Sequence, residues 1–457
     1  MFYLTKTAGR GFPLSQRRFR HKGSGAAGSR KYNSAKETLG FSAGSGAGSP
    51  RDQRSSSAET EQDGSTACGA AGPLLYMAGI ARFTAWGFPA AVLATFASIY
   101  FLPSPIDPEP FTFEKPPPAL VGSLQVNKKL QSGQRIFTGQ LKGPESFTAD
   151  DEGNIYTGTV DGKLWMISGD QLHFITQMGQ DMPECGTPEY EPICGRPHGI
   201  RMDQDGNLIV VDSYLGLYKV NPRTGEKTLL LSSEKGVDGL PFKFLNGLEI
   251  SKENLIYFTD SSSKWERRHH KYEVIETNHL GRLLAYDPVT RTGRTVLSGL
   301  YMANGIALSP YEDYILIAET SICRIIRYWV SGANAGKKEV FVDNLPGYPD
   351  NIRLSNTGLY RVGISTTRFP SFFSPFLDAL GPYPFLKRFI AKVTPLSFYS
   401  IFLHKHGLFL EINDKGDIVA SFHDPDGSVT WAVSDVFEHD GKVYLGNTEL
   451  PFLVVLQ

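Results

Sequence analysis

The chain has 457 residues, of which 41% are hydrophobic and 20% charged, and its formal net charge at pH 7 is -1. This length allows a large folded core and more than one structural region. Because basic and acidic residues balance, bulk charge does not favour a nucleic-acid partner, and no such partner is expected.

The first part of the chain is basic and of low complexity. Residues 1–74 are rich in Gly, Ser, Ala and Arg and contain few apolar runs. Such a segment cannot bury enough apolar surface to offset the entropy of ordering it, so we predict a disordered cytoplasmic tail. The composition of residues 1–36 also resembles a mitochondrial transit segment, which is the less favoured interpretation.

An uncharged segment follows at residues 83–102. Twenty residues at helical rise cross about 30 Å of hydrocarbon, and Pro89 would kink such a helix without breaking it. Since the excess positive charge precedes the segment, it predicts a signal-anchor of a single-pass type II membrane protein, with a cytosolic N-terminus. The C-terminal part would then be extracellular or lumenal, at the plasma membrane or in the endoplasmic reticulum. A cleaved signal peptide is the alternative.

The next segment, residues 103–120, is Pro-rich and predicts a stiff stalk. Further on, Cys185 and Cys194 lie nine residues apart in a loop rich in Pro, Gly and Glu. If this part is extracytoplasmic, the two cysteines are expected to form a disulfide, and two free thiols are the alternative. Cys323 lies in an apolar strand and is predicted to be in the core.

One local pattern recurs from residue 143 onward: a short polar signal, an apolar strand, a turn and a second apolar strand. A period of roughly fifty residues is typical of propellers and solenoids. We predict an all-β six-bladed propeller over residues 121–457, closed by residues 134–141 beside 452–456; a β-solenoid or a pair of sandwiches is the alternative. The signals are Gly143-Pro144-Glu145, His198-Gly199-Ile200, Asn246-Gly247-Leu248, Asn304-Gly305-Ile306 and Asp350-Asn351-Ile352.

One aromatic and basic segment, residues 368–407, interrupts the period. Three interpretations stay open. The segment could be a lid over an apolar pocket, it could lie on the membrane surface, or it could pack as a helix against the propeller.

In a closed ring, the polar residues that begin the inner strands meet at one mouth. Glu145, Asn246, Asn304 and Asp350 would then supply oxygen ligands to a hard cation. The alternative is that each of these residues caps a turn, which is common for Asn and Asp individually.

Several motifs together resemble the strictosidine synthase-like family of six-bladed propellers, and the likeness extends from about residue 104 to the C-terminus. The motifs are Ser104-Pro-Ile-Asp-Pro, Phe258-Thr-Asp-Ser-Ser-Ser-Lys-Trp, Gly347-Tyr-Pro-Asp-Asn-Ile-Arg and Glu438-His-Asp-Gly. The resemblance implies a single-pass membrane protein with a catalytic-type domain outside the cytosol. The wider superfamily, with paraoxonases and gluconolactonases, holds Ca²⁺ at the ring centre. Carried onto this chain, its metal ligands are Glu145, Asn246, Asn304 and Asp350, with Asn351 adjacent.

The resemblance also implies catalytic residues. His198 corresponds to a histidine at the mouth that acts on water, and Asp212 occupies the place of a second histidine. A carboxylate there could orient the imidazole and raise its basicity. Strictosidine synthases need a glutamate in the last blade, whereas residues 433–436 of this chain contain none, so amine–aldehyde condensation is doubtful.

The resulting hypothesis is a calcium-dependent hydrolase of the arylesterase or lactonase type that acts on a small apolar or aromatic ester or lactone. Residues 121–457 contain no Gly-x-Ser-x-Gly motif, which removes the serine hydrolases that depend on it in the predicted propeller; the match at residues 40–44 lies in the predicted disordered tail. The main alternative is a non-catalytic propeller that binds a partner and uses calcium only to hold its blades together. The same oxygen ligands serve both hypotheses.

Overall fold

A computed structural model describes residues 72–369, 375–402 and 404–457 of the protein. Within these residues, the strands form six four-stranded antiparallel sheets. The prediction of an all-β six-bladed propeller is therefore confirmed. The predicted tail lies outside the described residues as far as residue 71.

The strands follow the blades in chain order after a first short strand, β1 (Gln134–Ile136). Blade 1 contains β2 (Phe147–Ala149), β3 (Ile155–Gly158), β4 (Lys163–Ser168) and β5 (Gln171–Gln177); blade 2 contains β6 (Pro197–Met202), β7 (Leu208–Asp212), β8 (Gly216–Val220) and β9 (Lys227–Ser232). Blade 3 contains β10 (Leu245–Ile250), β11 (Ile256–Asp260), β12 (Gly281–Asp287) and β13 (Thr292–Leu300). Blade 4 contains β14 (Ala303–Leu308), β15 (Tyr314–Glu319), β16 (Arg324–Trp329) and β17 (Lys338–Val342). Blade 5 contains β18 (Gly347–Leu354), β19 (Tyr360–Thr367), β20 (Gly407–Ile412) and β21 (Ile418–Asp424); blade 6 contains β22 (Val433–His439), β23 (Lys442–Asn447) and β24 (Leu453–Leu456).

The ring closes through the two ends of this region. β1 pairs antiparallel with β24, with Gln134 opposite Val455, and so supplies the fourth strand of blade 6. This closure joins the first and last strands of the ring in one sheet. The predicted pairing of residues 134–141 with 452–456 is confirmed.

The core lies between neighbouring blades. Between blades 2 and 3, Val211 of β7 and Leu248 of β10 are buried in one apolar cluster with Phe258. The second strands β7 and β11 are buried along their whole length, which explains why their sequences are nearly continuous apolar runs.

The helix α1 (Gly72–Phe101) precedes the propeller and contains Pro89 without interruption. It covers nearly all of the segment predicted at residues 83–102. In the part of the chain that the structure describes, no helix combines the length and apolar character that crossing a membrane requires.

The Pro-rich segment 103–120 is not a free stalk, which corrects the sequence prediction. Ile106 is buried, and the backbone N–H of Asp107 donates to Glu276 Oε1 at 2.6 Å. The ring of Phe113 lies 3.9 Å from the guanidinium carbon of Arg368. The segment is therefore docked on the propeller domain by buried apolar and polar contacts, which proline composition alone does not reveal.

The segment that interrupts the period begins at the mouth end of blade 5, because the end of β19 pairs with the start of β18. It contains α4 (Phe376–Leu380) and α5 (Pro384–Val393). Ala391 of α5 is buried with Ile275 of α3 (His270–Glu276), and Lys387 Nζ donates to Thr277 Oγ1. Of the three interpretations, these contacts favour a helix packed against the propeller. Another short helix, α2 (Glu191–Cys194), and 3₁₀ turns at Gly122–Leu124, Lys129–Ser132, Arg267–His269, Thr320–Ile322, Gly332–Asn334 and Leu396–Phe402 complete the described elements.

Candidate functional site

Inner strands of neighbouring blades approach one another closely at the mouth, and glycine permits this. A Cβ atom on Gly247 would lie 2.5 Å from the carbonyl oxygen of Asn304, and one on Gly305 would lie 2.4 Å from the Cα of Asn351. The glycine that follows His198, Asn246 and Asn304 is therefore required by the close backbone approach. These contacts bring the predicted site residues of consecutive blades together.

Side-chain hydroxyl groups of the neighbouring blade fix the position of three of the site residues. Ser213 Oγ donates to Leu245 O at 2.7 Å, and Ser261 Oγ donates to Ala303 O at 2.6 Å. Thr320 Oγ1 donates to Pro349 O at 2.7 Å. Each accepting carbonyl belongs to the residue just before Asn246, Asn304 or Asp350. A hydroxyl at the end of one blade's second strand therefore anchors the next blade's inner strand.

Asp212 belongs to a repeated structural clamp, which corrects its predicted pairing with His198. Its Oδ2 accepts the backbone N–H of Arg196 at 2.7 Å, and its Oδ1 accepts those of Tyr214 and Leu215. In the next blade, Asp260 Oδ1 likewise accepts the backbone N–H of Phe244 at 2.9 Å. Burial raises the pKa of Asp212 to about 6. Its carboxylate is committed to shaping the backbone and does not orient the imidazole.

The carboxylate that contacts His198 is Glu145. Its Oε1 lies 2.7 Å from His198 Nδ1, and both side chains are buried. On the other side of the imidazole, Arg196 Nε–H donates to His198 Nε2 at 3.2 Å. Because Nε2 accepts, the proton of the neutral imidazole is on Nδ1. Burial, followed by the charge of Arg196, holds the pKa of His198 below its usual value despite Glu145.

The predicted metal ligands are gathered at this mouth. His198 Nδ1 lies 3.3 Å from Asn246 Oδ1 and also contacts Glu145, so the imidazole lies between two of the predicted ligands. Asn304 hydrogen-bonds to Asp350, and the charge of Glu145 acts on the Asp350 carboxyl. Burial first, and then that charge, raises the pKa of Asp350 well above its usual value. All of these side chains, and that of the adjacent Asn351, are buried.

Two observations fit this set to a hard cation. Asn304 Oδ1 is buried and has no hydrogen-bond partner in the described part of the chain. The Asp350 carboxyl is buried, and no salt bridge to it is found among the described residues. A cation would satisfy both oxygens. No group of three Asp, Glu, His or Cys side chains suited to a metal is found among the described residues; the predicted set has two carboxylates and otherwise amides.

The mouth also contains two arginines that the sequence prediction missed. Arg196 Nη2 donates to Glu145 Oε2 at 3.2 Å and to Thr448 O at 3.0 Å. Arg267, which follows blade 3's second strand, donates through Nη1 to Glu191 Oε1 at 2.8 Å. Neither arginine recurs in other blades, so the repeat pattern offered no signal for them.

The disulfide braces this side of the mouth. Cys185 and Cys194 are bonded, as the sequence predicted, and Cys194 ends the short helix α2 that begins with Glu191. Glu191 accepts hydrogen bonds from Arg267 and, at 2.6 Å, from the Tyr214 hydroxyl. The disulfide loop therefore helps to position Arg267. Cys323 is buried, as predicted.

In the last blade, residues 433–436 contain no glutamate, and the one acid among them, Asp435, has a structural role. Arg353 Nε donates to Asp435 Oδ1 at 2.8 Å, and Asp435 Oδ2 accepts the backbone N–H of Phe147 at 3.1 Å. The carboxylate is buried in these contacts and does not offer a free acid to the mouth.

Comparison with known proteins identifies the family. The strictosidine synthase profile matches residues 246–333, and the profile of the strictosidine synthase-like N-terminal region matches residues 122–167. The human adipocyte plasma membrane-associated protein is 45% identical over 357 residues, which cover 78% of this chain and 85% of that protein. The chain belongs to the adipocyte plasma membrane-associated protein family. The resemblance to the strictosidine synthase-like family that the sequence predicted is thereby confirmed.

More distant relatives extend the comparison. The Arabidopsis thaliana protein strictosidine synthase-like 10 is 33% identical and is matched over 91% of its length, so the adipocyte family and this plant protein share most of the propeller region. A solved gluconolactonase from Xanthomonas campestris is 12% identical, with 78% of this chain and 98% of that chain covered. Its TM-score of 0.48 is too low to support an inference about function.

Proposed function

We propose that this protein is a calcium-dependent hydrolase of the arylesterase or lactonase type. The observation that carries the proposal is the buried oxygen set at the mouth. Within residues 72–369, 375–402 and 404–457, Asn304 Oδ1 has no hydrogen-bond partner and the Asp350 carboxyl has no salt bridge. Membership of a strictosidine synthase-like family supports a propeller that acts on small molecules at this end of the ring.

Glu145, Asn246, Asn304 and Asp350, with Asn351 adjacent, would hold the ion. When bound, Ca²⁺ supplies Lewis-acid polarisation of an ester or lactone carbonyl. In its absence, burial and the charge of Glu145 raise the pKa of Asp350 well above its usual value, which disfavours the ionised carboxylate. Asn246 and Asn304 place amide groups where negative charge on a carbonyl oxygen could be stabilised.

His198 is the residue proposed to take a proton from water. Glu145 fixes the imidazole with Nδ1–H as donor, which leaves Nε2 as the nitrogen that can accept a proton. Arg196 Nε–H is bonded to Nε2 at 3.2 Å. A water molecule must therefore displace this N–H contact before the imidazole can act as a base.

We propose further that α1 attaches the protein to a membrane, with the N-terminus in the cytosol and the propeller extracellular or lumenal. Its described C-terminal part exposes Trp86, Phe88 and Phe101. A disulfide at Cys185 and Cys194 suits an oxidising compartment, and the human relative is named as plasma membrane-associated. Protease protection of the propeller in sealed vesicles tests this orientation, and cleavage from the cytosolic side would refute it.

Turnover of phenyl acetate by the full-length protein tests the hydrolase directly. We expect activity with added calcium, loss of it in metal-depleted buffer, and loss in the Asp350→Asn and His198→Gln variants. His198→Gln spares the predicted oxygen ligands, so calcium should still raise its melting temperature. Activity that survives metal depletion would refute the mechanism.

A second candidate is a non-catalytic propeller that binds a partner and uses calcium structurally. The observation that favours it is the engagement of both His198 nitrogens, by Glu145 and by Arg196. This candidate predicts that calcium raises the melting temperature while aryl esters and lactones are not hydrolysed.

A further inference from the structure

The side chain of Arg196 is fully buried at the mouth but is not fully paired. Its Nε donates to His198, and its Nη2 donates to Glu145 and to Thr448 O. Its Nη1 is buried and has no hydrogen-bond partner among the described residues. Burying an N–H group of a cation without an acceptor is costly, so this nitrogen is suited to a ligand.

Other buried arginines provide the comparison. Arg353 binds Asp435 and Phe147 O, and Arg368 binds Asp378, Asn344 Oδ1 and Lys115 O. Neither leaves a buried nitrogen without a partner. These two arginines support the fold and are fully paired, whereas Arg196 is not; Arg282, which pairs with Asp260, also leaves a buried Nε without a partner among the described residues.

A second guanidinium lies within electrostatic reach. Arg267 is also buried, and its charge acts on Arg196, on Glu145 and on Asp350. Glu191 holds it through Nη1, and Glu191 is held in turn by the Tyr214 hydroxyl. Glu145 and Glu191 thus hold two like charges near each other, and guanidinium groups with a free N–H suit an oxyanion.

We infer that Arg196 and Arg267 form a binding site for an oxyanion, a carboxylate or a phosphate group. What the inference says about the substrate rests on the proposed function: the substrate is an ester or lactone that also carries such an anionic group. The two arginines then determine specificity, because they bind the part of the substrate that does not react.

Binding can be measured without turnover. Full-length protein would be depleted of metal with a chelating resin, since soluble chelators are themselves polycarboxylates, and titrated calorimetrically with succinate, inorganic phosphate and neutral succinamide. We expect succinate or phosphate to bind and succinamide not to bind. Binding of succinate identifies a carboxylate site, and binding of phosphate alone identifies a phosphate site. Equal binding of succinamide, or no binding of either anion, would overturn the inference.

The variants Arg196→Met and Arg267→Met should weaken anion binding about tenfold or more. Arg268→Met is the matched control: this arginine is adjacent in sequence but pairs with Glu266, and the variant should bind like the wild type. If Arg196→Met fails to fold because Glu145 loses a partner, the comparison of Arg267→Met with Arg268→Met still decides. Equal affinity in those two variants would contradict the inference.

Turnover separates this inference from the proposed function. Phenyl acetate and phenyl hydrogen succinate share a leaving group, and only the second carries a carboxylate. We expect the wild type to have a lower KM for the succinate ester and Arg267→Met to lose that difference. Anion binding without hydrolysis of either ester would refute the proposed function and keep the anion site. Hydrolysis of both esters with equal KM, and no anion binding, would refute the anion site and keep the proposed function.

Discussion

The two ends of the central channel both carry charged side chains, but they satisfy them differently. Away from the mouth, a cavity of about 350 Å³ is lined by Arg201, Glu249, Arg353, Arg361 and Glu438 among others. There, Arg201 pairs with Glu249 at 2.6 Å, and Arg361 pairs with Glu438 at 2.8 Å. The charges of that end neutralise one another within the protein, as expected of groups that hold blades together.

At the mouth, by contrast, groups remain unsatisfied. Asn304 Oδ1 and Arg196 Nη1 are buried without partners, and burial together with Glu145 raises the pKa of Asp350. Buried polar atoms without partners are rare and costly in folded proteins. The difference teaches that these two ends of the channel are distinguished by incomplete pairing of buried groups and not by the presence of charge.

The largest expected effect on stability comes from breaking a pair at the satisfied end. Arg353→Met leaves the buried Asp435 without its cation. We expect urea denaturation to show a loss of about 3–5 kcal/mol in the free energy of unfolding. Arg223→Met, which removes an exposed pair with Glu152, is the control and should cost less than about 1 kcal/mol. Equal losses would contradict the comparison.

A smaller loss is expected from crowding the mouth. A Cβ on Gly305 would meet the backbone of Asn351 and Asp350 at 2.4 and 2.6 Å. Gly305→Ala should therefore destabilise the protein by about 1–3 kcal/mol and weaken its response to calcium. Gly441→Ala introduces a side chain at φ 73° into open space, so it tests backbone strain alone and should leave the calcium response unchanged.

The next effect concerns a buried acid that belongs to neither set. Burial raises the pKa of Glu273 in α3 to about 8. Because the folded value lies above the unfolded one, its contribution to stability is present at low pH and is lost as the pH rises through about 8. Relative to Glu273→Gln, the wild type should lose up to about 1.4 kcal/mol per pH unit between pH 5 and 8. Parallel stability curves for the two proteins would refute the assignment.

The smallest effect on stability is expected at the unsatisfied end itself. In metal-depleted protein, burial and the charge of Glu145 disfavour the ionised form of Asp350 because they raise its pKa well above the usual value. Asp350→Asn should therefore change the free energy of unfolding by less than about 1 kcal/mol at neutral pH. The wild type should lose stability as the pH rises through the raised pKa, and the variant should not. A large loss in the variant at neutral pH would place Asp350 among the satisfied structural pairs.

Much of this architecture was predictable because it repeats. The recurrent strands, the closure by β1 and the residues at Glu145, Asn246, Asn304 and Asp350 all follow the blade period. The role of Asp212 could also have been found from a repeat. An acid followed by a hydroxyl residue ends the second strand of three blades, at residues 212–213, 260–261 and 319–320.

Features that occur once were not predictable from the pattern. Arg196 and Arg267 come from loops of different blades, and only the closed ring brings their charges together. The docking of residues 103–120 depends on contacts with distant residues such as Glu276 and Arg368. Pairing between side chains that are far apart in the chain carries no periodic signal.

Calcium titration of the metal-depleted, full-length protein by calorimetry tests the central claim most directly. We predict that a single ion binds per chain, that Asn304→Ala weakens binding about tenfold or more, and that folded Arg353→Met binds like the wild type. The absence of calcium binding, or binding that Asn304→Ala and Asp350→Asn both leave unchanged, would contradict the claim that the mouth is a metal centre.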